Sequence, residues 1–259
     1  MGNDPARSGW PEGVGRRVLE RVDSTNAEAL RQAPQLSGPT WIMTRRQEAG
    51  RGRRGRVWTM PEGNFAASLF FRPHGGAAEA ARYSFVAALA LHDALIALGG
   101  PTLNLSLKWP NDVLLNGGKL AGILLESAGA SGQRIGALVV GVGVNLAAAP
   151  DLDAIEARAL RPVSLRGETG LVIDPEDLLD ALAVSFERGS RQMRDYGFAP
   201  IRAAWLARAA KLGETIIART GTAEIEGRFE TIDAEGALIL VTPRGRQAIP
   251  AADIFFERG

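Results

Sequence analysis

The chain has 259 residues, enough for a full enzyme core and one small accessory domain, and its 46% apolar and 23% charged residues are ordinary for a globular protein. A net charge of +1 excludes recruitment of nucleic acid by a global field, so any basic site must be local. The lack of cysteine excludes disulfides and thiolate chemistry and fits a reducing compartment. No signal-peptide pattern follows Met1, and Arg82 and Asp93 interrupt the longest apolar stretch, so the chain reads as soluble and cytoplasmic, without a membrane span.

Residues 1–15 read as a loose lead-in and 18–22 as a short strand. Asp23-Ser24-Thr25-Asn26-Ala27-Glu28 opens a helix, with Thr25 and Glu28 spaced as a capping box and Pro34 as its stop. These polar residues are either a plain N-cap or a helix start whose free N–H groups hold a ligand. Residues 40–44 form a buried strand, 65–71 another, and 79–98 a long apolar helix ended by Gly99-Gly100. His74 and His92 are the only histidines, and neither lies near a carboxylate or cysteine cluster in sequence, so no zinc site is expected.

Residues 103–109 alternate at period two, Pro110-Asn111-Asp112 breaks the strand, and 113–115 resume it. Asn116-Gly117-Gly118 signals a hairpin whose return strand begins at Lys119, and 137–144 add a further strand ending at Asn145. This stretch predicts an antiparallel meander. Residues 147–173 show no clear period. Asp174-Pro175 starts a helix to about residue 195, a second covers roughly 199–210, and short strands follow at 215–218, 223–232, 237–241, 246–249 and 254–256. The division expected is a catalytic domain over 1–210 and a small five-stranded barrel over 211–259.

Between the first strands lies a cationic loop: residues 45–56 hold six arginines and three glycines. Gly50-Arg51-Gly52-Arg53-Arg54-Gly55 matches G-x-G-x-x-G literally, but a strand follows rather than a helix, so a dinucleotide site does not fit; no P-loop motif is present either. The loop is either a solvated or nucleic-acid-binding run, or a device that closes over an anion. Glycine spacing favours the anion, as do Lys108, Asn111, Asp112 and Lys119, polar residues from which a buried strand gains nothing. Lys119 directly follows a turn, so simple exposure competes there.

The chain resembles the biotin–protein ligases (biotin–[acetyl-CoA-carboxylase] ligases). The resemblance rests on Asp23-Ser24-Thr25-Asn26, Gln47 through Arg56 with Trp58, Lys108-Trp109-Pro110-Asn111-Asp112, Lys119-Leu120-Ala121-Gly122-Ile123 and Gly141-Val142-Gly143-Val144-Asn145. These segments stand in family order across about residues 18–146, while the C-terminal part matches only in texture. The resemblance implies an α+β fold, with a mixed or antiparallel sheet flanked by helices, like class II aminoacyl-tRNA synthetase catalytic domains, and a C-terminal SH3-like β-barrel. It implies formation of biotinyl-5′-AMP from biotin and Mg-ATP, then transfer to the ε-amine of one lysine on a biotin carboxyl carrier protein.

By the same resemblance, Ser24, Thr25, Asn26, Gln47, Arg51, Gly52, Arg53 and Lys119 would bind biotin, and Arg56, Trp58, Lys108, Asn111 and Asn145 the nucleotide. Lys119, Arg53 and Asp112 would be catalytic, Asp112 by orienting the acceptor lysine and helping remove its proton. Mg²⁺ is expected with ATP, and no residue of the chain is singled out as its ligand. Only 23 residues precede Ser24, so a ligase-only type without a DNA-reading domain is expected, as monomer or homodimer. The nearest alternative is a lipoate or octanoate ligase or transferase of the same fold.

Overall fold

Two sheets organise the chain, which a computed structural model describes over residues 9–129, 135–150 and 160–256. The larger has seven strands in the order β1-β2-β3-β7-β6-β5-β4. These are β1 (Gly15–Val22), β2 (Thr40–Gln47), β3 (Phe65–Phe71), β4 (Leu105–Lys108), β5 (Asp112–Leu115), β6 (Gly118–Ala128) and β7 (Ala137–Val144). The expected meander holds from β4 to β7. β1 and β2 are parallel, because α1 (Thr25–Gln32) crosses between them.

The central strands are buried on both faces, and the two-residue period divides their side chains. Trp41, Met43, Phe65, Ala67, Leu69, Val140 and Val142 enter the main core. That core is covered by α2 (Ala77–Gly99), α4 (Pro175–Tyr196) and α5 (Phe198–Leu206), with Trp41 edge-on to Phe186 and Phe85 edge-on to Trp205. Ile42, Phe70 and Val139 point the other way, onto Ala29 of α1 and Leu36. The eight-residue helix α1 is too short to cover that second face. Beyond it the strands carry Ala66, Ser68, Gly122, Gly141 and Gly143, small residues that leave room where the cavity lies.

Four local expectations change. Ser24, not Thr25, caps α1, taking the Ala27 N–H, so Glu28 falls one position beyond the capping box. A short helix α3 (Leu165–Thr169) forms within the aperiodic connection, capped by Ser164, too brief to show a period. The strand expected over 103–109 is ordered as strand only from Leu105 to Lys108. Helix α2 is long and apolar enough to cross a membrane by length and composition, despite Arg82 and Asp93, but more than half of its most apolar window is buried inside the fold.

The second sheet is antiparallel, in the order β11-β10-β9-β8-β12. Its strands are β8 (Thr215–Arg219), β9 (Glu224–Ile232), β10 (Leu238–Thr242), β11 (Gly245–Ile249) and β12 (Asp253–Phe256). It docks on the meander: Trp109 Nε1 donates to the Gly236 carbonyl at 3.0 Å, and Lys108 lies 5.8 Å from the Phe256 ring centroid. Trp109→Phe keeps the packing but removes the donor, so it should cost about 1 kcal/mol of stability. Urea unfolding measures it, and an unchanged midpoint would mean this contact adds nothing to docking.

Candidate active site

The bare part of the sheet opens into a cavity of about 720 Å³ that runs from the start of α1 to the edge of the second sheet. Its floor depends on glycine. A Cβ on Gly143 would stand 2.5 Å from the Trp58 ring, so the indole approaches the strand this closely only because nothing projects there. Lys119 Nζ sits 6.0 Å from the centroid of that indole.

The arginine loop forms the roof. Trp58 N–H donates to the Gly50 carbonyl and Gly52 N–H to the Arg56 carbonyl, at 2.9 and 2.7 Å, which folds residues 50–58 into a narrow hairpin. At Gly50 a Cβ would meet the Trp58 carbonyl at 2.4 Å, so this close crossing requires glycine. The six arginines separate by function. Arg45 pairs with Glu176 and Glu20, and Arg46 lies near Glu48; neither lines the cavity. Arg51, Arg53 and Arg56 line it. Arg54 and Arg56 each reach Asp253 on β12 at 2.7 Å, while Arg53 donates to the Ala252 carbonyl at 3.3 Å and lies 3.5 Å from Asn111 Oδ1.

Below the roof is one carboxylate between two ammonium groups. The β4–β5 register sets Lys108 opposite Asp112, and Nζ lies 3.7 Å from Oδ2; Lys119 reaches Oδ1 at 2.7 Å. Lys119 is therefore engaged with an anion rather than merely exposed after its turn. Burial opposes the charge of Asp112, but Lys119 and Lys108, with Arg53 farther off, outweigh it and hold the carboxyl below its usual range. Burial lowers the Lys108 ammonium, with Asp112 opposing. Burial likewise lowers Arg53, with Asp253 opposing. Asn111 donates to the Ile123 carbonyl at 2.6 Å, and Asn145 to the Val163 carbonyl at 3.1 Å, which fixes both amides at the cavity wall.

At the far end the start of α1 meets β2 and β3. Gln47 Oε1 accepts from the Thr25 N–H at 2.9 Å, and Ser68 Oγ lies 2.7 Å from Thr25 Oγ1 and 2.5 Å from Asn26 Oδ1. Asn26 Nδ2 donates to Glu126 at 2.8 Å. These groups offer both donors and acceptors, suited to a polar head group.

Every residue given a binding or catalytic role from the sequence lines this one cavity: Ser24, Thr25, Asn26, Gln47, Arg51, Gly52, Arg53, Arg56, Trp58, Lys108, Asn111, Asp112, Lys119 and Asn145. Sequence reasoning missed Ser68, Glu126 and Asp253. Ser68 sits in an apolar strand and Glu126 near a strand end, where neither stands out, and Asp253 follows Arg56 by 197 positions. Among the described residues, no group of three or more His, Cys, Asp or Glu side chains could hold a metal ion.

Comparison with known proteins agrees with this geometry. Residues 18–145 match the biotin/lipoate A/B protein ligase family, and residues 211–257 match the biotin protein ligase C-terminal domain. A biotin–[acetyl-CoA-carboxylase] ligase of Paracoccus denitrificans is 64% identical over 92% of this chain and 99% of its own length. The bifunctional ligase/repressor BirA of Escherichia coli is 32% identical over 90% of this chain and 71% of its own length. The structure of Aquifex aeolicus biotin protein ligase in complex with biotin and ATP superposes with a TM-score of 0.76 at 25% identity, covering 95% of this chain and 99% of that one.

The electrostatics predict how stability depends on pH. Asp112 is held below its ordinary 3.8, so its contribution is complete above that value and is lost as pH falls through the lowered one. Lys108 is lowered from 10.5, so the unfolded chain binds more protons between the two values and stability rises with pH there. Asp112→Asn should destabilise by about 2 kcal/mol at neutral pH, less than for a fully buried pair because Lys119 is a third exposed. It should also flatten the acid limb. Chemical unfolding across pH measures both, and an acid limb unchanged in Asp112→Asn would contradict the assignment.

Proposed function

The chain belongs to the biotin/lipoate A/B protein ligase family, and on that premise we propose how its cavity carries out ATP-dependent biotin ligation. Biotin's carboxylate attacks the α-phosphorus of ATP, giving biotinyl-5′-AMP and pyrophosphate. The carrier lysine's amine then attacks the activated carbonyl, an amide forms, AMP leaves and the amine gives up a proton. The first step brings two anions together, and the cations converging on one end of the cavity offset their repulsion. That convergence carries the assignment: Lys108, Lys119, Arg53 and Arg56 line the end bordered by Asp253, while hydrogen-bonding side chains line the other.

In this reading Thr25, Asn26 and Gln47 meet the biotin head group, and Ser24 fixes the turn from which they project. Lys119 and Arg53 face the reacting carboxylate and phosphate, with Arg51 and Gly52 completing the roof over biotin. Trp58, Arg56, Lys108, Asn111 and Asn145 form the nucleotide end. Asp112 stays at the reacting centre. Its lowered carboxyl pKa makes it a weak base, so its main part is to hold the two lysines and orient the incoming amine. Mg²⁺ would arrive on the triphosphate: the carboxylates at the nucleotide end are already paired with cations, a donor set that suits a phosphate-borne ion better than a protein cage.

The partner is the carrier domain of a biotin-dependent carboxylase, and the reaction is placed in the cytoplasm without nucleic acid or membrane. The enzyme is a monomer or a homodimer, and β1, at the edge of the seven-stranded sheet, is a strand along which a second copy could pair. Domains over 1–210 and 211–259 fit the two matched segments. Lipoate-type activity is the alternative, but a dithiolane would leave the polar end of the cavity without partners.

Pyrophosphate exchange into ATP with Mg²⁺, run separately with biotin, lipoate and octanoate, tests the reading. Exchange is expected with biotin alone. Exchange only with lipoate or octanoate would preserve the mechanism and overturn the head-group assignment. Arg53→Gly should retain exchange yet release the adenylate to solvent; an intermediate held as tightly as in the unmodified enzyme would refute the roof's role in retention.

A further inference from the structure

Glu126 touches both the polar end of the cavity and its roof. One carboxylate oxygen accepts from Asn26 Nδ2 at 2.8 Å, and the other lies 3.4 Å from the Arg51 guanidinium. A carboxylate only accepts, so it fixes Asn26 with its amide nitrogen toward Glu126 and the Leu124 carbonyl, and its oxygen toward Ser68. Ser68 has one hydroxyl proton and, at 2.5 Å, gives it to Asn26 Oδ1. Ser68 Oγ also lies 2.7 Å from the Thr25 hydroxyl, which in turn lies 3.3 Å from Gln47 Oε1. The Thr25 N–H goes to Gln47 Oε1, which leaves the Gln47 amide nitrogen as a donor at that end. The donor–acceptor order of Asn26 and Ser68 therefore starts from one charge, and the backbone of Thr25 orients Gln47 beside them.

We propose that Glu126 is a positioning and specificity-determining residue, which sets the hydrogen-bond polarity of the head-group pocket through Asn26 and ties the roof to that pocket through Arg51. The proposal rests on the biotin-ligase reading. Half of the Arg51 side chain is exposed, so water screens the pair and the tether is modest in the free protein and stronger when a ligand excludes that water. The carboxylate offers one acceptor to Asn26 and one to Arg51. Glutamine has a single carbonyl oxygen and cannot serve both.

The test compares Glu126→Gln, Arg51→Ala and the double variant in biotin-dependent pyrophosphate exchange. Loss of a charge-assisted contact should raise the KM for biotin about tenfold in Glu126→Gln, with the KM for ATP unchanged. The two substitutions should also be non-additive. Trypsin cleavage after Arg53, Arg54 and Arg56 in the full chain without biotin, sites that every variant keeps, supplies a readout independent of activity, and both single variants should be cut faster there. An unchanged biotin KM together with unchanged cleavage would overturn the proposal, as would effects that multiply. A lowered unfolding midpoint with equal rises in both KM values would mark Glu126 as merely structural. No exchange in the unmodified enzyme would defeat the ligase reading, while the cleavage comparison would still decide the tether.

Discussion

The site depends on Asp112, a carboxylate only 9% exposed that lies against two lysine ammonium groups. Without its negative charge, two like charges would share a confined, partly dehydrated space, and neither would keep its position. With it, the cations stay together at the cavity wall, partly desolvated before any ligand arrives. This is preorganisation: the cost of assembling the cations is met during folding, not when the anions arrive. The β4–β5 hairpin secures the arrangement, because its register fixes Lys108 opposite Asp112.

The roof follows the same logic over longer distances. Its arginines would repel one another, and acids from distant parts of the chain separate them. Glu126 takes Arg51 toward the head-group end, and Asp253 draws Arg54 and Arg56 toward the second sheet. The small C-terminal sheet thus supplies part of the wall of the larger domain's cavity, including Ile254 and Phe255. Trp109 and Lys108 secure that docking from the other side, so the strand that delivers a lysine to the site also anchors the sheet that closes it.

Much of this was legible in the sequence because its signals are local. Period-two alternation exposed the meander, Asn116-Gly117-Gly118 exposed its hairpin, and Asp174-Pro175 marked the start of α4. The conjunction of five short segments identified one site, and all its named residues converge. What stayed hidden depends on contacts that no local pattern carries. The parallel pairing of β1 with β2 follows from where α1 packs. The capping register hinged on whether Ser24 or Thr25 turned its side chain back to the helix, and Thr25 was instead drawn to Gln47 and Ser68. Asp253 and Glu126 gain their meaning only when sheets or strands distant in sequence meet the loop.

The central claim, that a desolvated cation cluster is held together by one carboxylate, can be tested directly because the chain contains only three lysines, Lys108, Lys119 and Lys211. The decisive measurement is an NMR titration of their Nζ resonances in the unmodified protein and in Asp112→Asn. The account predicts that Lys108 titrates below the ordinary lysine value of 10.5, and lower still once the carboxylate is removed. A Lys108 that titrates at or above that value, and that ignores the loss of Asp112, would contradict it.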